Sequence, residues 1–420
     1  ATSCRFLFPL ALQQFIFLCI SVILIFILLT AKKFILNLMK KNTYFLIFAQ
    51  NYVTYHASMY EQFYKKSTKK SIVVYEDSVG QNYRFEKRWG KIVKWGINLK
   101  KGYKSILLKN YSFSPNDQGF FSRFNPQIPF VIKKVMPKKI FFQGYSDISS
   151  WLILITSKLF KIHVSWKGER VINKDFKDSK LKKFILKFFF FNFLDVIYYS
   201  CNGNLEYLKS FGINENKLKN MNCSVNNSFF RKNKKSKKVN QLNKKRLGLS
   251  NKKIILIVAN LEKRKNIMLF IDTVKFFFNK KIHFLIVGDG ELRDKVKQKI
   301  IQNKSQLSYL GFIDISKISE IYSIADVFCV LSSYDPSPKT LNEALNFNIP
   351  SIVYKEIGTC KDLIKNGING KILNRLNSYS LSKSIKEVLS DKSLQKRSKI
   401  YNKSLLKKYS PQQNANALFN

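Results

Sequence analysis

Short apolar runs recur along the chain from about residue 44, and helical stretches separate them. Runs of this length, rich in Ile, Val and Phe, predict buried strands. The first series of predicted strands covers residues 44–49, 71–75, 104–108, 139–142, 162–166 and 195–199. The second series covers residues 253–258, 282–287, 307–310, 326–330 and 350–354. Strands that alternate with helices in this way predict an α/β fold, with parallel sheets that carry helices on both faces.

A basic run over residues 231–238 separates the two series and predicts a solvated linker. We therefore predict an N-terminal domain over residues 42–235 and a C-terminal domain over residues 236–400. Both are expected to be Rossmann-like. Residues 401–420 are predicted to form a helix that returns to the N-terminal domain.

Residues 6–30 are apolar apart from a few uncharged polar side chains, and at about 25 residues they could span a bilayer, which takes about 20. Four lysines follow between residues 32 and 41, whereas Arg5 alone precedes them. This bias predicts an N-terminal hydrophobic helix over residues 1–41 that spans or anchors to the membrane, with the rest of the chain on the cytoplasmic face of the inner or plasma membrane. The alternative is that the working protein lacks this segment.

The formal net charge of +48 admits three explanations: nucleic-acid binding, an anionic membrane surface as partner, or lysine-rich coding bias. The chain has no recognisable DNA- or RNA-binding motif, so nucleic acid is the disfavoured partner. Residues 180–193 predict a basic, aromatic helix. A core position is the favoured interpretation, because a predicted buried strand follows at once, and an anionic membrane surface is the alternative.

Six scattered cysteines without paired spacing favour a reducing compartment, and three histidines disfavour a His-rich metal centre. We therefore predict no metal and no cofactor.

Asp335 and Glu343 carry the clearest chemical signal. The predicted strand 326–330 leads into a loop with Pro336 and Pro338, so a helix is expected to begin at or after Pro338, with Glu343 about two turns into it. The two carboxylates would then lie where α/β folds bind ligands, at the carboxyl end of a strand. Such a site suits an anionic, hydroxyl-rich ligand.

Residues 333–345 resemble the nucleotide-sugar site of the family 4 glycosyltransferases, in which two Glu are separated by seven residues. The segment is most similar to a bacterial branch that reads Asp-Pro-Ser-Pro-Lys, and residues 346–353, 358–363 and 366–370 match that branch too. The resemblance covers about residues 42–420. It implies the GT-B fold, in which two Rossmann-like domains face a cleft, and a retaining, metal-independent sugar transfer from a UDP- or GDP-linked sugar. Asp335 departs from the family, which has Glu there.

The resemblance also implies roles for individual residues. Catalytic roles fall to Asp335, Lys265 and His56. Donor-binding roles fall to Glu343, Lys265, Arg264, Gly288, Gly290, Ile313, Ser337, Pro338, Lys339 and Thr340. Acceptor-side roles fall to His56, Gln143, Tyr145, Lys167 and Glu169. The alternatives are a solvated charge for Lys265, a structural turn for the two glycines, packing for His56 and a structural anion for Glu169.

The implied function is a retaining glycosyltransferase acting on a saccharide or lipid-linked acceptor in cell-surface polysaccharide or lipopolysaccharide biosynthesis. Asn260 and Gln143 stand where the family usually carries Arg and His. Together with Asp335, they leave a catalytically degenerate homologue, which binds a nucleotide sugar or a membrane surface, as the alternative. A dinucleotide oxidoreductase is disfavoured because Arg293 occupies the third glycine position of the fingerprint begun by Gly288 and Gly290.

Overall fold

A computed structural model describes residues 45–80, 84–86, 91–93, 100–115, 119–172, 178–278, 281–302 and 305–419. The predicted N-terminal membrane segment, residues 1–41, lies outside these residues. Among the helices of the described part, none is both long enough and apolar enough to cross a membrane.

The first domain is built on a seven-stranded sheet in the order β5-β2-β1-β6-β7-β8-β9, and its strand pairs are parallel. Strands β3 and β4 form a separate antiparallel pair. The elements are, in chain order, β1 (Phe45–Ala49), α1 (Thr54–Lys66), β2 (Ser71–Tyr75), β3 (Arg84–Glu86), β4 (Lys91–Val93), β5 (Ser105–Leu107), α2 (Ile128–Val135), β6 (Lys139–Gln143), α3 (Ile148–Leu159), β7 (His163–Lys167), α4 (Lys180–Phe189), β8 (Val196–Tyr199), α5 (Asn202–Lys209) and β9 (Leu218–Asn220).

The second domain is built on a six-stranded parallel sheet in the order β12-β11-β10-β13-β14-β15. Its elements are α6 (Asn227–Lys232), α7 (Lys237–Arg246), β10 (Lys253–Val258), α8 (Ile267–Asp272), β11 (Ile282–Val287), α9 (Arg293–Gln302), β12 (Leu307–Tyr309), α10 (Ile315–Ile324), β13 (Val327–Val330), α11 (Lys339–Leu345), β14 (Ser351–Tyr354), α12 (Cys360–Leu363), β15 (Gly370–Leu373), α13 (Ser378–Ser390) and α14 (Leu394–Lys408). A last helix, α15 (Pro411–Ala417), follows.

The central strands of both sheets are buried on both faces, as parallel sheets require. In β1, Leu46 and Phe48 belong to one core cluster while Phe45 and Ile47 belong to another on the opposite face. The side chains of β10 divide in the same way between two clusters. Helices therefore cover both faces of each sheet, and the prediction of two parallel-sheet α/β domains is confirmed.

The end of the chain crosses back to the first domain. Helix α15 packs against α1. The Tyr198 hydroxyl in β8 donates a hydrogen bond of 2.7 Å to the carbonyl of Ala417, and the ring of Phe419 lies 4.7 Å from that of Phe63. Residues 411–419 thus stabilise the sheet from which the loops predicted to lie on the acceptor side extend.

The basic run over residues 231–238 is solvated, as predicted, but it is not all loop, because it includes the ends of two helices. The run contains the last residues of α6 and the first residues of α7. A side-chain oxygen caps the start of each helix. Asn226 accepts a hydrogen bond from the amide of Phe229, and Ser236 accepts one from the amide of Val239. The lysine side chains of the run stay partly or fully solvated, so capping rather than burial decides the local structure.

The favoured interpretation of residues 180–193 as a core helix is wrong for most of the segment. Leu186 is the buried residue of α4, and Phe190 and Phe191 just beyond it are buried as well. The opposite face of α4 is exposed, including Phe184 and Phe188.

Gly288 and Gly290 allow the loop after β11 to lie directly on the loop after β10. Both have positive φ, +139° and +156°. A Cβ on Gly288 would lie 1.8 Å from the carbonyl oxygen of Ala259, and one on Gly290 would lie 2.9 Å from the backbone of Leu261. The two glycines therefore fix the spacing of two loops at the carboxyl edge of the second sheet.

Gly288→Ala is expected to destabilise the second domain by about 2–4 kcal/mol, since it combines a disfavoured φ with a backbone clash. Gly248→Ala is the matched control, because Gly248 has φ +67° and no atom within 4 Å of an added Cβ. It should cost only about 1 kcal/mol for the positive φ. Chemical denaturation of both variants measures the difference, and equal losses would contradict the close approach of the two loops.

Candidate functional site

The loops after β10 and β13 lie side by side at the carboxyl edge of the second sheet. The Ser333 amide donates to the carbonyl of Arg264 at 2.8 Å, and the Asn266 side chain donates to the carbonyl of Leu331 at 2.8 Å. Asn266 has φ +54°, a left-handed conformation that Asn tolerates better than most residues. These bonds place the basic turn over residues 263–265 against the loop that contains Pro336 and Pro338. Residues of both loops can therefore contribute to one site.

Lys265 and Asp335 form an ion pair between these two loops. Each side chain is only 12% exposed, and the second carboxylate oxygen of Asp335 accepts the amide of Ser337 at 3.2 Å. Arg264 donates to the carbonyl of Tyr334 at 3.0 Å and lies 3.8 Å from Asp335. The carboxylate of Asp335 thus faces two cations, of which Arg264 also pairs with Glu262 at 2.7 Å. An anion that binds here can exchange with these carboxylates for hydrogen bonds from Lys265 and Arg264.

Glu343 lies on α11, which begins immediately after Pro338, as the sequence predicts. It is the fifth residue of that helix and so stands just over one turn into it, not about two. Its carboxylate accepts a 2.8 Å hydrogen bond from the Tyr322 hydroxyl. Burial raises the pKa of Glu343 to about 7, although the bond from Tyr322 works in the opposite direction. The carboxyl group therefore titrates close to neutral pH.

The remaining predicted donor-side residues lie around this edge. The amide of Gly288 donates to the carbonyl of Gly311 at 2.9 Å, which joins the loops after β11 and β12, and Ile313 follows in the second of these. Ile313 is partly buried and packs against the core. Ser337 and Pro338 are buried, whereas Lys339 and Thr340 are partly buried. The loops after β10, β11, β12 and β13 thus converge, as ligand sites in open α/β sheets do.

A cavity of about 780 Å³ opens on the first domain, at the carboxyl edge of its sheet. All five predicted acceptor-side residues line it. Its lining also includes residues that the sequence analysis did not select, many of them aromatic or apolar: Gln50, Tyr55, Phe120, Trp151, Trp166, Arg170, Leu181, Lys182, Ile185 and Leu186. A volume of this size is typical of ligand pockets, and apolar walls with a few polar groups suit a sugar ring.

His56 is held in this wall as a neutral imidazole. Its Nε2 lies 3.5 Å from the side-chain nitrogen of Gln143. Burial lowers the pKa of His56 to about 3, a shift that Glu169 opposes and that Lys167 and Lys339 reinforce. At neutral pH the ring can give or accept a hydrogen bond, but it is a poor proton acceptor and carries no charge.

A salt bridge joins the two domains across the site. Lys339, the first residue of α11, donates to both carboxylate oxygens of Glu169 at 3.0 and 3.3 Å, and its ammonium lies 4.8 Å from the centre of the Tyr55 ring. Lys167 lies 3.8 Å from the same carboxylate, and the Cys223 thiol donates to it. Burial alone would raise the pKa of Glu169, but Lys339 and then Lys167 lower it well below its usual range. Glu169 is therefore ionised.

The sequence placed Lys339 on the donor side and Glu169 on the acceptor side, and did not predict that they touch. Nor did it predict Tyr322, which lies among apolar residues of α10 and carries no motif. Trp151 in the cavity lining was equally unmarked, because it occurs in a segment that predicts ordinary core.

Buried charges support one wall of the cavity. Gln50, which lines it, donates to Asp147 at 2.9 Å, and Arg123 donates to the same carboxylate oxygen at 2.9 Å. Glu76 lies 3.7 Å from Arg123 and is fully buried. Burial raises the pKa of Glu76, an effect that Asp147 strengthens and Arg123 opposes. This cluster fixes Gln50 in the wall.

Within the described ranges, no group of three or more His, Cys, Asp or Glu side chains is placed to hold a metal ion.

Residues 239–405 match the family model described as "Glycosyl transferases group 1". A Campylobacter jejuni protein named "GalNAc-alpha-(1->4)-GalNAc-alpha-(1->3)-diNAcBac-PP-undecaprenol alpha-1,4-N-acetyl-D-galactosaminyltransferase" is 26% identical over 146 residues, which are 34% of this chain and 40% of that protein. The "Alpha-monoglucosyldiacylglycerol synthase" of Acholeplasma laidlawii is 32% identical over 142 residues, 31% of this chain and 34% of that protein. The chain thus matches about two fifths or less of these relatives' lengths.

The crystal structure of Anabaena HepE in complex with UDP and glucose superposes with a TM-score of 0.68 at 14% identity, and the match covers 90% of this chain and 98% of that one. At this identity the likeness shows the fold alone. The family model, the relatives and this fold together support a glycosyltransferase with the GT-B fold.

A double-mutant cycle on Lys339→Met and Glu169→Gln should give a coupling of about 1 kcal/mol or more in the free energy of unfolding, since the Lys339 side chain is only 16% exposed and that of Glu169 is 34% exposed. The control is the same cycle on the more exposed pair Lys65 and Glu61 of α1, whose charged groups lie 2.6 Å apart, with Lys65→Met and Glu61→Gln. It should give only about 0.3–0.5 kcal/mol. Denaturant unfolding measures both cycles. Coupling across the cleft no larger than on α1 would show that Lys339 and Glu169 do not hold the domains together.

Proposed function

We propose that this protein transfers a sugar from a UDP- or GDP-linked donor to a saccharide or lipid-linked saccharide acceptor, with retention of the anomeric configuration. The observation that carries the proposal is the placing of Lys265, Asp335 and Glu343 at one carboxyl edge, with a cavity facing them. The segment that matches the glycosyltransferase model, residues 239–405, contains all three.

On the donor side, each group has a partner that fits its chemistry. Lys265 and Arg264 meet the diphosphate, where an ammonium and a guanidinium neutralise charge that develops on the leaving group. Glu343 accepts hydrogen bonds from the ribose hydroxyls, and Asp335 with the Ser337–Lys339 loop contacts the transferred sugar. Because Asp335 pairs with Lys265, a diphosphate that binds there has to share or replace this carboxylate.

On the acceptor side, the aromatic lining packs on the sugar ring and the polar groups orient its hydroxyls. His56 is neutral at working pH, so it positions a hydroxyl by hydrogen bonding and does not serve as the general base. In the retaining reaction that the family resemblance implies, the acceptor attacks on the face that the diphosphate leaves, and the departing phosphate takes the proton. This route uses no metal, and Lys265 supplies the charge stabilisation.

The names of two relatives support a lipid-linked acceptor. The Campylobacter protein is named for a substrate on undecaprenol diphosphate, and the Acholeplasma protein for a diacylglycerol product. We place this chain in cell-surface polysaccharide or lipopolysaccharide biosynthesis, on the cytoplasmic face of the membrane.

The second candidate is a degenerate homologue that binds a nucleotide sugar without turning it over. One contact favours it: the Asn260 side chain, at the position where the family carries a cation, donates to Glu262 at 3.3 Å. Glu262 also pairs with Arg264 at 2.7 Å and so competes for the cation that would replace the missing one.

Glu343→Gln is expected to weaken binding of the cognate nucleotide sugar about 10- to 100-fold, because a charged acceptor of two hydroxyl hydrogen bonds contributes roughly 1.5–3 kcal/mol. Asp335→Asn should lower turnover more than donor affinity, since its carboxylate lies near the sugar. Calorimetric titration with UDP- and GDP-linked sugars, with NAD as the reference ligand, measures the affinities. Unchanged donor affinity in Glu343→Gln would overturn the assignment of this segment.

The same titration at pH 6, 7 and 8 separates a hydrogen-bonding role from a packing role. The pKa of Glu343 is about 7, so the ionised fraction rises through this range and donor affinity should rise with it. The diphosphate of a nucleotide sugar is a diester and does not titrate there. Glu343→Gln should show a flat profile, and an equal pH dependence in both proteins would contradict the assignment.

A further inference from the structure

Helix α4 carries an apolar stripe on the side that faces away from the protein. Leu181, Phe184 and Phe188 are spaced by three and four residues and therefore share one face of the helix. They are 50%, 52% and 46% exposed. Phe189 and Phe193 extend the exposed apolar surface at the end of the helix.

This stripe is not the edge of the core. Leu186, the buried residue of α4, stands two positions from both Phe184 and Phe188. At 3.6 residues per turn, two positions correspond to about 200° around the helix, so the stripe points opposite to the core. The rings of Phe184 and Phe188 lie 4.6 Å apart and contact each other. A solvent-facing cluster of this kind marks an interaction surface.

A row of lysines runs along one side of the stripe with the same spacing. Lys180, Lys183 and Lys187 each precede a stripe residue by one position and form a second row about 100° around the helix. Lys182 lies on the other flank, where it pairs with Asp178 at 2.8 Å. Apolar rings bordered by ammonium groups are complementary to a surface that is apolar inside and negatively charged at its rim.

We propose that α4 docks on an anionic lipid bilayer, with Phe184 and Phe188 entering the boundary between headgroups and acyl chains and the lysine row meeting lipid phosphates. A second copy of this chain fits less well, because it would bring two lysine rows together. Nucleic acid would meet the lysines but leave the phenylalanine rings in water.

The docking helix is also a wall of the acceptor-side cavity. Leu181, Lys182, Ile185 and Leu186 of α4 line the cavity of about 780 Å³, together with Lys167 and Glu169. Leu181 belongs to both surfaces, so the cavity opens beside the bilayer when α4 is docked. This part rests on the proposed function: an acceptor sugar enters the cavity while its lipid stays in the membrane.

Hydroxyl-radical footprinting of the full chain, read by mass spectrometry, tests the docking at individual side chains. The chain is mixed with vesicles of phosphatidylcholine alone or of phosphatidylcholine with 30% phosphatidylglycerol. With the anionic vesicles, oxidation of Phe184 and Phe188 should fall about threefold or more. Phe113 and Phe278, which are 102% and 93% exposed, are the internal references and should stay unchanged. Side-chain readout is needed because the predicted segment over residues 1–41 could hold the chain on any bilayer.

A charge variant tests the lysine row. Replacing Lys180, Lys183 and Lys187 together by Gln should abolish the protection of Phe184 and Phe188. The matched control replaces three exposed lysines of α7, Lys237, Lys238 and Lys245, by Gln, and should keep the protection. Equal protection with neutral and anionic vesicles, or equal effects of the two variants, would overturn the anionic membrane as partner.

Unchanged oxidation with anionic vesicles would overturn docking altogether. Protection without vesicles that grows with protein concentration would show that a second copy covers α4, and would overturn it too. Donor affinity, measured on the same samples with the Phe184→Gln/Phe188→Gln variant, should equal that of the parent. If docking fails but the protein still binds the donor, only the membrane proposal is overturned. If the protein does not bind the donor, the proposed function fails.

Discussion

The salt bridge between Lys339 and Glu169 connects the two halves of the site. Lys339 begins α11, the helix that also carries Glu343, whereas Glu169 follows β7 in the cavity wall of the first domain. This charge pair therefore links the groups assigned to the donor with those assigned to the acceptor, beside other contacts between the domains such as the hydrogen bond from the Asn342 side chain to the carbonyl of Cys223. The pair contributes to stability through burial, because the Lys339 side chain is only 16% exposed and an unpaired ammonium there would be costly.

The salt bridge between Lys339 and Glu169 uses one of the few carboxylates of a strongly basic chain. The sequence has 74 basic and 26 acidic residues, so carboxylates are scarce. Three of them stand in the cleft, where Asp335 meets Lys265, Glu169 meets Lys339, and Glu343 accepts from Tyr322. In the proposed function Asp335 and Glu169 order the two lysines. The cations then stabilise the negative charge of the departing diphosphate. Lysines far outnumber carboxylates elsewhere too, and on α4 they border an apolar stripe.

Most strands of the two sheets and the start of α11 could be predicted from the sequence, because these features depend on local chemistry. Apolar runs of strand length marked the central strands of both sheets, and Pro338 marked the start of α11. The short edge strand β9 and strand β15 were missed because their residues, such as Lys219 and Lys371, give no apolar run. The short helices on either side of the basic linker were not predicted, because the caps Asn226 and Ser236 were overlooked. The pairing of Lys339 with Glu169 and the bond from Tyr322 to Glu343 depend on how distant segments pack, and no spacing in the sequence encodes that.

Helix α4 shows a different limit. The pattern of Phe and Lys over residues 180–189 fits a core helix and a surface helix equally well, because amphipathic spacing does not say which face is covered. Leu186, Phe190 and Phe191 take the core position, which leaves Phe184 and Phe188 outside. The sequence supplied the right two alternatives, and tertiary packing decided between them.

The central claim is that the protein breaks the bond between a sugar and a nucleoside diphosphate, with Lys265 stabilising the leaving group. Release of nucleoside diphosphate from a panel of UDP- and GDP-linked sugars, with and without lipid extract as acceptor, measures this step directly. The account predicts release from at least one donor, a loss of about 10²–10³-fold in rate for Lys265→Ala, and little change for the exposed neighbour Lys263→Ala. Release that is absent from the parent protein for every donor, or equal in the parent protein and a folded Lys265→Ala variant, would contradict it.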